Sequence, residues 1–111
     1  MSVTTHVLDT SIGRPASGVA VRLEARDGQG WRELGSGRTD ADGRARDLAG
    51  EGRLEPGIFR LRFATGDYFR ALGIENFHPE VTVQFRVEDP AANHHVPLLL
   101  SPFGYTTYRG S

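Results

Sequence analysis

At 111 residues, 38% apolar and 24% charged, the chain has the composition of a soluble globular protein with one modest core. It contains no cysteine, which excludes disulfides, thiolate metal sites and cysteine nucleophiles together. All 13 basic residues are arginines scattered from Arg14 to Arg109, and the net charge is −1. That removes a lysine Schiff base or lysine general base, and leaves no basic run of the kind that binds nucleic acid or an anionic membrane surface.

Along the chain, period-two alternation dominates. A first strand over 3–9 carries His6 on the same face as Thr4 and Leu8. After the turn cluster "SIGRPASG", Val19, Val21 and Leu23 alternate with Ala20, Arg22 and Glu24, which predicts a strand over 19–26 with one face in a core. Strands at 31–38 and 44–48 flank "DADG", a tight turn that sets Arg44 at the start of the second. In 58–64, Phe59, Leu61 and Phe63 face inward against Arg60 and Arg62. The period then breaks: Phe69 and Leu72 are three apart and Gly73 suits a left-handed terminus, so a short helix is expected over 67–73.

The strand at 81–88 directs Val81, Val83, Phe85 and Val87 inward. The next, at 95–101, divides Val96, Leu98 and Leu100 from His95, Pro97 and Leu99. Both faces of that strand are apolar, which points to an outer face covered by another subunit. Pro97 has no N–H for a ladder and suggests an edge or a bulge. A last strand covers 104–109. Residues 1–111 are thus expected to form one all-β domain, a two-sheet antiparallel sandwich of about eight strands with one short helix. No window approaches the apolar length of a membrane span, and "MSVTTHVLDT" does not read as a signal peptide, so the expected compartment is cytoplasmic.

Chemistry has few candidates. His94 and His95 point to opposite faces of their strand, so only one of them can share a site with His6. His78 in "NFHPE" reads as a surface residue. A zinc site would want three placed ligands, and neither HxH nor HExxH occurs; a serine hydrolase would want a GxSxG context, and no serine has one. Two histidines with one arginine suit proton transfer near neutral pH on a flat, oxygen-rich, anionic ring.

The stretches "TTHVLDTSIGRPASGVAV", "DADGR", "PGIFRLRF" and the closing "HVPLLLSPFGYTTYRGS" resemble the 5-hydroxyisourate hydrolases, or transthyretin-related proteins, over residues 3 to 111. A terminal YRGS after "LLLSPFGY" is the most specific part; transthyretin, the hormone carrier, is similar through "VLDT" and "GVAV" but has a different tail and lacks the catalytic histidines. The resemblance implies a transthyretin-like sandwich of two four-stranded sheets, assembled as a homotetramer with active sites in a central channel. It implies catalytic and substrate-binding roles for His6, Arg44, His95, Tyr108 and Ser111, with Arg109 and Gly110 also lining the substrate. One departure is Asn93, where relatives carry the first histidine of an H-x-H. The implied reaction adds water to 5-hydroxyisourate, a product of urate oxidation, and opens its six-membered ring to 2-oxo-4-hydroxy-4-carboxy-5-ureidoimidazoline without a cofactor or metal. Either histidine, or both, could be the base. The other reading is a non-catalytic carrier of aromatic ligands in the same channel.

Overall fold

The computed structural model describes residues 2–50 and 54–111. Strands β1 (Val3–Asp9), β2 (Arg14–Pro15), β5 (Arg44–Ala45), β8 (His94–Ser101) and β9 (Gly104–Thr107) form one sheet. The other consists of β3 (Ala20–Asp27), β4 (Gly30–Arg38), β6 (Gly57–Phe63) and β7 (Val81–Val87) in the order β4-β3-β6-β7. The alternation read from sequence is what joins them. Val3 and Val7 of β1 and Val96, Leu98 and Leu100 of β8 meet Val21 and Leu23 of β3, Phe59, Leu61 and Phe63 of β6, and Val81 and Val87 of β7 in one buried core. No helix among the described residues is long and apolar enough to cross a membrane.

Several boundaries differ from expectation for physical reasons. The sandwich is not wholly antiparallel, because β1 and β8 pair in parallel from Val3↔His94 to Asp9↔Leu100. The whole second sheet lies between them in the chain, and so long a crossover releases the pair from the antiparallel sense a hairpin would impose. The first sheet gains a fifth piece, since β2 and β5 both pair with β1, at Leu8–Asp9 and Thr5–His6 respectively. The strand expected at 44–48 stops at Ala45, and two residues on, Asp47 adopts φ 56°, which no extended strand contains.

Helix α1 runs Thr65–Ala71, two residues ahead of the expected span. Its start is set by tertiary contact: Gly66 donates its N–H to the Pro79 carbonyl at 3.1 Å, and a Cβ on Gly66 would come within 2.7 Å of that oxygen. Its last residue also comes two positions early, but Gly73 closes it as expected. Gly73 at φ 71° donates to the Arg70 carbonyl and Ile74 to that of Phe69, closing the last turn in a Schellman arrangement. Tyr68 fastens the helix to the first sheet by donating its hydroxyl to Asp9 Oδ2 at 2.8 Å. Burial, then the Asp9 carboxylate, push the Tyr68 phenol up to about 12.

Pro97 also departs from the expected edge or bulge. It lies in an interior strand, between β1 and β9, and is buried there. Its carbonyl accepts from the Thr107 hydroxyl at 2.7 Å, so the missing N–H faces β9, where the ladder ends. The last strand therefore closes at Thr107 rather than 109.

Candidate active site

The outer face of the first sheet collects the polar residues that the sequence singled out. His6 on β1 lies directly opposite Arg44 on β5. On the other side of β1, the parallel register sets Thr4 beside His95 and His6 beside Pro97. His6 and His95 thus share one face on adjacent strands, two residues out of step, which separates their Cα atoms by about 8 Å.

Arg44 owes its position to the turn before it. Asp40 Oδ1 accepts from the N–H groups of Asp42 at 2.9 Å and Arg44 at 3.0 Å, while the Asp40 N–H donates to the Arg44 carbonyl at 2.8 Å. The Arg44 N–H is the main reason that the Asp40 carboxyl is held below its ordinary value. Gly43 must be glycine here: its φ is 77° and a Cβ would run into the Val7 carbonyl. The turn packs so closely on β1 that Val7 donates to the Gly43 carbonyl at 2.7 Å.

The same turn orients His6. Its Nε2 lies 2.9 Å from the Asp42 carbonyl. A carbonyl only accepts, so Nε2 carries the proton and the neutral ring keeps its lone pair on Nδ1.

His95 is held differently. Its Nδ1 is 2.8 Å from the Thr4 hydroxyl, and the ring is half-buried. Burial, then the Arg44 guanidinium, then His6 when its ring is protonated, lower its pKa from the ordinary 6.5. His95 is therefore mostly neutral imidazole at pH 7, and the strand register sets Arg44 and His6 on the same sheet face near it.

The C-terminal tail continues the β9 register past the gap at Pro97. Gly110 donates its N–H to the His95 carbonyl at 2.8 Å, and its α-carbon lies against the imidazole. A Cβ at 110 would overlap His95 Cδ2 and stand 3.1 Å from Cγ. Any side chain at 110 would displace the ring. Tyr108 is 57% exposed, and Arg109 and Ser111 are exposed in the single chain. Tyr108 and Arg109 wall a groove of about 500 Å³ that also takes in His95, His94, Phe85 and Arg86, on the β7 side of the tail. His6 and Arg44 do not line that groove; both are half-buried on the sheet face.

His6, Arg44, His95 and Gly110 are thus brought together; Tyr108 and Arg109 are neighbours, and Ser111 has no side-chain hydrogen bond among the described residues. His94 faces inward, 6.4 Å from the Phe85 ring, and its buried Nδ1 has no partner among the described residues. His78 is half-buried and meets Phe77 and Tyr105 edge to face at 4.9 and 5.2 Å. Sequence reasoning missed Thr4 and the Asp42 carbonyl. The shared face of Thr4 and His6 was visible, but the β1–β8 register that sets Thr4 against His95 was not. Among the described residues no group of three or more His, Asp or Glu side chains could hold a metal ion.

Two packed sheets with one short helix between β6 and β7 make a transthyretin-like fold. Residues 3–110 match the HIUase/Transthyretin family, and the chain belongs to it. It is 50% identical over 113 residues to a 5-hydroxyisourate hydrolase of Caulobacter vibrioides, covering 98% of this chain and 97% of that one. With a mouse protein of the same name it shares 45% over 111 residues, 98% and 94% of the two chains. The Klebsiella pneumoniae 5-hydroxyisourate hydrolase superposes with a TM-score of 0.86 at 35% identity, over 100% of both chains. Sea bream transthyretin in complex with thyroxine superposes with a TM-score of 0.89 at 32% identity, over 97% of this chain and 93% of that one.

Proposed function

We propose that the protein hydrolyses 5-hydroxyisourate. The observation that carries this reading is 45–50% identity, over nearly the whole chain, to relatives named as that hydrolase. Backbone similarity alone does not choose, since a transthyretin superposes as well as a hydrolase does. A carrier of aromatic ligands has no use for a neutral histidine beside an arginine and a second histidine, whereas a hydrolase does.

In the mechanism that the geometry favours, His95 takes a proton from water as the water oxygen bonds to the ring carbonyl carbon. The C–N bond of the cyclic amide then breaks, and the proton passes from imidazolium to the departing nitrogen. Arg44 binds the carbonyl oxygen and stabilises the charge that gathers there. His6, its Nε2 proton engaged by Asp42, offers Nδ1 as an acceptor for a substrate N–H or O–H. Tyr108, Arg109 and Ser111 complete the wall of the substrate site. The half-exposed face around His6, and the apolar pair Leu8↔Leu99 next to it, support a homotetramer in which a second copy covers the site.

Ultraviolet absorbance of freshly generated 5-hydroxyisourate tests the reaction. The protein is expected to speed the loss of signal well beyond the spontaneous rate, and His6→Ala, His95→Ala and Arg44→Ala to lower turnover by about two orders of magnitude each. Loss at the spontaneous rate would leave the carrier reading in its place.

A further inference from the structure

We propose that Thr4 is a positioning residue for the proton transfer at His95. This rests on the hydrolase reading above and extends it to a residue outside the expected catalytic set. The two site histidines have partners of different chemistry. His6 is bonded through Nε2 to a carbonyl, which can only accept and so locks one tautomer. His95 is bonded through Nδ1 to a hydroxyl, which both donates and accepts.

The difference bears on the chemistry. A base that takes a proton at Nε2 and later returns it starts with Nδ1–H donating to Thr4 and ends in the same state. In between, the imidazolium again donates from Nδ1. The Thr4 hydroxyl accepts in every one of these states, so the ring changes charge without turning. A carboxylate in that place would hold the ring as firmly but would raise its pKa, and His95 would then be charged at neutral pH. A hydroxyl holds the ring and leaves the lowering by burial, Arg44 and His6 in force. No other hydrogen bond to the His95 ring occurs among the described residues, which leaves Nε2 as the nitrogen available for chemistry.

Backbone geometry makes the contact a fixture of the fold. Thr4 and His95 are register partners in the parallel β1–β8 pairing, so their side chains leave the sheet together on one face. From the other side Gly110 backs the imidazole. Thr4 and Gly110 between them define where the ring stands.

The test compares Thr4→Val, which keeps the β-branched shape without the hydroxyl, with Thr4→Ser, which keeps the hydroxyl without the methyl. Thr4→Val is expected to lower kcat about tenfold with KM little changed, the scale of one lost hydrogen bond, and Thr4→Ser to restore most of it. In protein labelled with 15N-histidine, Thr4→Val should move the His95 Nδ1 resonance and leave His6 in place. Normal turnover in Thr4→Val, equal impairment in both variants, or an unmoved His95 resonance would each overturn the proposal. Should the wild-type protein fail to hydrolyse 5-hydroxyisourate while His95 still responds to Thr4→Val, the positioning contact stands and the substrate assignment falls.

Discussion

His95 illustrates how a single side chain inherits its chemistry from what surrounds it. Burial lowers its pKa first, the Arg44 guanidinium lowers it further, and so does His6 when its ring is protonated. The folded value lies below the unfolded 6.5, so between the two the unfolded chain binds more protons. The contribution of this group to stability is therefore complete above 6.5 and lost as pH falls through the folded value. With His95 as the proposed base, the same sign governs activity: the base stays neutral below pH 6.5, and the acid limb of kcat/KM is expected below that point. Arg44→Ala removes the permanent charge and should move the His95 midpoint up toward 6.5, as followed by its Hε1 resonance. A midpoint that stays or falls would mean that the guanidinium lies too far away to act.

The last strand shows what an element contributes beyond its own residues. Pro97 ends the β9 ladder, Thr107 covers the Pro97 carbonyl with its hydroxyl, and the chain rejoins β8 at Gly110, where its backbone meets the His95 ring. Deleting residues 108–111 removes exposed side chains and one backbone hydrogen bond, but also the backing of the imidazole. The truncated protein should melt at nearly the same temperature by circular dichroism while turnover falls about 100-fold, the scale set by misplacing a reacting group by about 1 Å. Gly110→Ala should lose a similar factor at full length. A truncated chain with full turnover would make the tail a bystander. The Gly in "YRGS" is legible as a motif residue; that an imidazole occupies the space of its Cβ is visible only with β8 and the tail side by side.

At the scale of the whole molecule, the first sheet presents a face that is polar at one end, with Thr4, His6, Arg44 and His95, and apolar at the other, with Leu8 paired to Leu99. A single chain leaves the residues at both ends half-exposed. Sedimentation velocity at micromolar concentration is expected to give a tetramer, and Leu99→Glu, which sets a charge in the apolar half, should lower the mass and the turnover together. An active wild-type monomer would show that one chain suffices.

Local pattern was enough for what depends on neighbours in the chain. Inward residues such as Leu61 and Leu98 followed from alternation, the end of the helix from Gly73, and the aim of Arg44 from the "DADG" turn, because each answers to steric rules within a few residues. Long-range pairing was beyond reach. The parallel sense of β1 and β8, the interior place of Pro97, the early start of α1 against Pro79 and the approach of Thr4 to His95 join residues far apart in sequence, in the last case 91 positions. The sequence by itself determined which residues face the core and which side chains are candidates for chemistry. Only the tertiary structure decided which of them touch, since a one-residue change of register would turn each side chain of a strand to the opposite face.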